Sequence, residues 1–121
     1  MIVEGDERLL RLAISNLLTN ATKYNLDEKG KIICKLSQSD SGFDILIQNT
    51  GPEISNEDKE KIFERFYRVD PARGSIKPGF GLGLSLARVI AAAHGGGLIL
   101  KSSEGGLNSF LMTIPHTKIN N

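Results

Sequence analysis

Residues Asp6 to Tyr24, DERLLRLAISNLLTNATKY, can bury their apolar side chains in only one regular way. Leu10, Ile14, Leu17 and Ala21 recur at intervals of three and four, so a helix carries them as one stripe and must lay that stripe on a core. Asp6 suits the N-cap, where a carboxylate accepts hydrogen bonds from the first turn. At about 100° per residue, Asn16, Asn20 and Lys23 fall within an arc of roughly 60° beside the stripe. Two amides and an ammonium are thereby placed where core meets solvent. Asparagine competes for backbone hydrogen bonds and is a mediocre helix former, so two in mid-helix point to a task beyond forming the helix. The plain alternative is an ordinary polar helix edge.

Downstream, the pattern changes from three-and-four spacing to alternation. Ile2 to Glu4 reads as a short edge strand before the helix, which ends near Asn25. After a polar turn, Ile32, Cys34 and Leu36 alternate along one strand; after Ser39 to Gly42, Phe43, Ile45, Ile47 and Asn49 share one face of the next. That parity points the Asn49 amide toward the buried side, where it needs a partner. From Gly51 to about Pro78 neither pattern holds, apart from an amphipathic piece at Glu57 to Phe66. Excursions of this length are usually binding loops, and residues 52–78 read as a lid tethered by Ile62, Phe63, Phe66 and Tyr67.

GFGLGL then runs into LSLARVIAAAH, a second helix with Leu82, Leu86, Val89 and Ile90 on one side and Gly95 and Gly96 as its stop. Two further strands follow, joined by EGGL, the second lined by Phe110, Met112 and Ile114. The tail, 116–121, should fray. The order predicts an α/β two-layer arrangement, with helices on one face of a mixed sheet of about five strands.

At 121 residues the chain suits one domain, residues 1–121, able to bury a core without disulfides. Its net charge of +1 gives no broad reason to bind nucleic acid, and no apolar run is long enough for membrane contact. The N-terminus lacks the pattern of a secretion signal, so a cytoplasmic domain is expected. Cys34, the only cysteine, excludes an internal disulfide and is expected to pack as a small buried hydrophobe. His94 and His116 lie apart from any carboxylate or cysteine cluster, which argues against a protein-only metal site.

A Gly-x-Gly-x-Gly loop opening a helix gathers unhindered N–H groups and the positive end of a helix dipole, an anion site suited to phosphate. NLLTNATKYN, QNTGPEI, FERFYRVD and GFGLGLSLARVIAAAHGG, in this order, resemble the ATP-binding catalytic domain of two-component sensor histidine kinases. The resemblance covers about Gly5 to Pro115, and its wording is most similar to the heavy-metal or copper-sensing branch. It implies a two-layer sandwich of the kind shared with type II topoisomerase, mismatch-repair and large chaperone ATPases, with ATP and magnesium between helices and lid.

By the same resemblance, Asn20 holds magnesium, Asn16 lines the phosphates, Lys23 meets phosphate oxygens and Tyr24 packs near the base. Asn49 takes the place of the family's usual Asp toward the adenine amine, and Gly51 lets the backbone approach the base. Gly79, Gly81, Leu82, Gly83 and Leu84 follow the phosphates, Arg65 reaches the γ-phosphate with Arg68 nearby, and Ser109 replaces a Thr that helps hold the base. A neutral amide at Asn49 accepts a weaker hydrogen bond than a carboxylate, and Glu53 stands where the family places Gly, so both departures bear on nucleotide affinity.

Phosphoryl transfer to a histidine on a separate helical hairpin domain is implied, with a response regulator downstream. Neither His94, expected to favour the second helix's dipole, nor His116 fits that acceptor role. The fragment is expected to be monomeric, and its full-length parent a homodimeric inner-membrane sensor. The alternatives are a stand-alone serine kinase of the anti-sigma type and a non-catalytic nucleotide-binding module.

Overall fold

The computed structural model describes residues 5–23, 30–65 and 83–116. Helix α1, Glu7–Lys23, begins where its cap dictates: Asp6 Oδ1 accepts from the N–H groups of Arg8 at 2.9 Å and Leu9 at 3.2 Å. Its stripe buries Ala13, Leu17 and Ala21, with Leu10 and Ile14 partly covered. Strands β1 (Ile32–Ser39) and β2 (Gly42–Thr50) form a hairpin. After a short 3-10 helix, Lys61–Phe63, come α2 (Gly83–Ala93), β3 (Gly97–Glu104) and β4 (Leu107–Pro115).

The four strands among the described residues run in the order β1-β2-β4-β3, and each neighbouring pair is antiparallel. Of the expected mixed sheet of about five strands, these four antiparallel strands fall within the described residues. The strand assigned to Ile2–Glu4 lies outside the described residues, and so does the tail from 117 on. Ile45 and Ile47 on β2, Phe110, Met112 and Ile114 on β4 and Leu98 on β3 face the two helices and close one core.

Helix α2 packs by a different face from the one its larger residues suggested. Leu84, Ala87, Ile90 and Ala91 are buried, whereas Leu86 and Val89 are exposed. The alanines let the helix lie close against α1 and the sheet, and that tight contact outweighs the hydrophobicity of Leu86 and Val89. Cys34 is likewise corrected to exposed, and Leu36, on the same strand, is 67% exposed. Strand β1 is an outer strand among the described residues, and α1 packs on β2 without reaching it.

Two glycine pairs set the geometry at the ends of these elements. Gly96 N–H donates to Ala91 O and Gly95 N–H to Ala92 O, both at 2.9 Å, with Gly95 at φ +80°. This is the Schellman closure of α2. A Cβ on Gly96 would stand 1.7 Å from the Thr113 carbonyl oxygen, so α2 turns into β3 directly against the backbone of β4. Gly105 and Gly106, at φ +63° and +76°, supply the two left-handed residues that a tight β3–β4 hairpin requires.

His94 joins the start of α1 to the end of α2. The Asp6 N–H donates to Nε2 at 3.0 Å, so the ring carries its proton on Nδ1, which donates to the Ile90 carbonyl at 2.8 Å. The neutral ring is therefore a hydrogen-bonded clasp, and its bond to a last-turn carbonyl is the favourable contact with the C-terminal end of α2 expected from its position.

Replacing Gly96 by Ala should cost about 2–4 kcal/mol of stability, because the new methyl meets fixed backbone. Gly97→Ala, whose Cβ has nothing within 4 Å, should stay within about 0.5 kcal/mol. Urea unfolding of the two variants checks the contrast.

Candidate functional site at one end of the sandwich

The contacts at one end of the fold determine what gathers at the other. Gly96 against Thr113, and His94 against Asp6, place the C-terminus of α2 and the N-terminus of α1 together at the lower end of the sheet. Helix α2 has 11 residues and so rises about 16 Å, while β4 from Thr113 to Asn108 spans about 17 Å. The described N-terminus of α2, at Gly83, is thus well removed from the Gly96 and His94 contacts and lies beside α1. The Cβ position of Gly83 lies 3.7 Å from the carbonyl oxygen of Asn16 and 3.8 Å from its Cβ, which confirms that α1 and α2 are antiparallel neighbours there.

Away from those contacts, the helix pair ends with Gly83 and Leu84 of α2 beside Asn16 of α1, with Asn20 one turn further along α1, and the sheet ends with Asn49 and Gly51 after β2; these two ends are called the upper end. Asn16 and Asn20 are half-buried beside the α1 stripe, while Leu84 is buried in the core and gives the start of α2 its anchor. Asn49 is 1% exposed; its Nδ2 donates to the Thr50 carbonyl at 3.1 Å, so the amide oxygen points away from that carbonyl. Gly51 is buried, and its N–H donates to Gly106 O at 3.0 Å. Tyr24, Arg68, Gly79, Gly81 and Leu82 lie outside the described residues, as does the side chain of Lys23.

Ser109 lies at this end of the sheet but does not face the helices as expected. It is paired with Gln48, whose Nε2 donates to its Oγ at 2.8 Å, on the sheet face opposite Asn49. Alternation makes the reason plain: Asn49 pairs with Asn108, so Asn108 shares its face and Ser109 does not. Asn108 is 3% exposed; its Nδ2 donates to Pro52 O at 3.0 Å, and its Oδ1 accepts from Ser103 Oγ. Ser103 Oγ in turn accepts from the Ile54 N–H at 2.6 Å. Sequence reading missed both residues, although the parity that found Asn49, continued across the EGGL turn, leads to Asn108.

The expected helical piece, Glu57 to Phe66, is reduced to the single turn Lys61–Phe63. Ser55 Oγ accepts from the Asp58 N–H and donates to Asp58 Oδ2, and the Ile62 N–H donates to Asp58 O, so the chain runs through turns from Ser55 into this 3-10 helix. Ile62 and Phe63 enter the core as tethers, Phe63 edge-on to Phe110 with ring centroids 6.3 Å apart. Arg88 of α2 lies 4.4 Å over the Phe63 ring and pairs with Glu60 at 3.0 Å. Arg65 stands exposed two residues beyond the turn; Phe66 and Tyr67 lie outside the described residues.

The donor set suits a hard divalent ion shared with an oxygen-rich ligand. Two half-buried amides offer neutral oxygen, and among the described residues no three His, Cys, Asp or Glu side chains form a metal cluster. No described helix is long and apolar enough to cross a membrane.

A two-layer α/β sandwich with paired asparagines, a helix N-terminus and a buried amide at one end defines a class of nucleotide-binding ATPase domain. The profile of the histidine kinase-, DNA gyrase B-, and HSP90-like ATPase family matches residues 5–118, and the chain belongs to that family. It is similar to the probable sensor kinase SilS of Salmonella typhimurium, 38% identical over 114 residues, covering 94% of this chain and 22% of that one. It is 46% identical over 99 residues to the sensor protein CiaH of Streptococcus pneumoniae, covering 82% of this chain and 22% of the relative. Among solved structures, the mycobacterial sensor histidine kinase MprB superposes with a TM-score of 0.81 at 31% identity, covering 93% of this chain and 76% of that one. The chain thus spans about a fifth of the length of these curated relatives.

Truncating Phe63 to Ala should destabilise the fold by about 3–5 kcal/mol. Arg88→Met should cost no more than about 1 kcal/mol, since the Glu60 partner is 77% exposed. Thermal unfolding of the two variants tests the ranking.

Proposed function

We propose that this chain binds Mg–ATP at the upper end of the sandwich and donates the γ-phosphoryl group to a histidine on a separate helical hairpin of a two-component sensor kinase. The observation that carries the reading is the meeting of Asn16 with the start of α2 at Gly83, away from the Gly96 and His94 contacts, just as Asn49 and Gly51 end the sheet away from them. In this reading Asn49 Oδ1 accepts from the adenine amine and Gly51 leaves room for the base. Asn16, Lys23, Arg65, Arg68 and the Gly79–Gly83 backbone with Leu82 and Leu84 surround the phosphates. Asn20 supplies an amide oxygen to magnesium, Tyr24 flanks the base, and Ser109 is withdrawn from the set.

Phosphoryl transfer needs positioning and charge neutralisation more than covalent chemistry by the protein. The N-terminus of α2 turns the positive end of its dipole toward bound anions. Bound magnesium supplies positive charge to the phosphate oxygens. Guanidinium and ammonium groups at Arg65 and Lys23 add to it, and an arginine presents donors in a fork that matches phosphate.

The acceptor lies on another part of the parent protein or on a partner. Both nitrogens of His94 are engaged, and it stands at the lower end, about the length of α2 from the candidate site. His116 is at that lower end too, its N–H donating to Ser41 O at 2.7 Å. The parent is read as a homodimeric membrane sensor with this domain in the cytoplasm, passing its phosphoryl group to a response regulator.

Incubation with γ-labelled ATP should leave no acid-labile phosphohistidine on this chain while a supplied hairpin domain becomes labelled. Asn20→Ala should spare folding and abolish magnesium-dependent nucleotide binding; unchanged transfer by that variant refutes the assignment. Asn49→Asp should tighten ATP binding by about fivefold, as a charged acceptor replaces a neutral one. Isothermal titration with and without magnesium measures both.

A further inference from the structure

The row of side chains that ends the helix-facing side of the sheet is polar throughout its inner strands: Asn49 pairs with Asn108, and Asn108 with Ser103. We infer that Ser103 and Asn108 are positioning residues for base recognition, holding the Pro52–Ile54 backbone as a fixed wall beside Asn49. The inference rests on the nucleotide site proposed above and assigns what makes that site selective for adenine.

Three backbone groups just beyond β2 are held by the β3–β4 hairpin. Gly51 N–H donates to Gly106 O, Pro52 O accepts from Asn108 Nδ2, and Ile54 N–H donates to Ser103 Oγ. The two side chains are themselves joined, Ser103 Oγ donating to Asn108 Oδ1. The result is a closed circuit from Pro52 through Asn108 and Ser103 to Ile54, with both side chains buried. In this circuit each hydroxyl and amide group serves two partners, so losing one member leaves the other's buried group short of a bond.

The wall begins two residues after Asn49, the residue that in this reading accepts the base amine. A hydrogen-bonding site rejects a base lacking the right donor only if its surroundings cannot shift to admit water or another contact. An irregular segment bonded to solvent shifts easily. One bonded at three points to a rigid hairpin does not. Ser103 and Asn108 thus act through the Gly51–Ile54 backbone, without touching the base themselves.

The test measures the affinities of the full chain and its variants for ATP, ITP and inorganic tripolyphosphate, each with magnesium. ITP carries an oxygen where ATP carries the exocyclic amine, and tripolyphosphate reports the phosphate region alone. Ser103→Ala and Asn108→Ala should lower the ATP-to-ITP affinity ratio by about tenfold with tripolyphosphate binding unchanged. Ser103→Thr, which keeps the hydroxyl, should recover the wild-type ratio. Should Asn108→Ala fail to fold, Ser103→Ala, the smaller change, decides alone, with thermal unfolding showing that it is native. A folded Ser103→Ala protein with the wild-type ratio overturns the inference, and so does an equal loss for all three ligands. A wild-type chain that binds none of the three at millimolar concentration overturns the nucleotide site itself, an outcome seen before any variant is made.

Discussion

The close approach of Gly96 to the Thr113 carbonyl fixes the rest of the structure. There α2 ends against the backbone of β4, with no side chain between them, and the helix packs by a face in which Ala87 and Ala91 alternate with Leu84 and Ile90. Alanine contributes little hydrophobic area per residue, but it lets a helix sit close, and dispersion contacts depend steeply on closeness. Because α2 is anchored below, its other end is carried to Gly83, beside Asn16 of α1. The position of that helix end is set by a glycine at the opposite end of the same helix.

Much of this was legible in the sequence. The α1 stripe, its Asp6 cap, the inward parity of Asn49, the two hairpins and the glycine stop of α2 all follow from local rules, because each depends on neighbours within four residues or on strand alternation. Where reading failed, tertiary context decided. Leu86 and Val89 look like a core face but lie outside, since packing against α1 favours the smaller Ala87 and Ala91. Cys34 and Leu36 alternate like core residues, yet no described helix reaches the strand that bears them.

The candidate site was legible by residue type and less so by face. Ser109 and Asn108 are adjacent in sequence and differ only in which side of β4 they occupy, a distinction fixed by pairing with β2. His94 carried no signal of its role as a clasp, because its partner Asp6 is 88 residues away. Over its described part, 51–65, the charged middle segment is irregular as read, and its tether is one buried turn, with Phe63 held between Phe110 and Arg88.

The open strand β1 affects how the protein behaves in crowded solution. All eight of its residues are exposed, and it borders the described sheet with Ile32, Ile33 and Leu36 uncovered. An uncovered, regular, apolar outer strand can template the addition of a further strand from another molecule. Its sequence, IICKLSQS, contains a single charge. Lys35 is that charge, and pairing two copies along this strand would bring their ammonium groups near each other and strip water from both, which works against such an association.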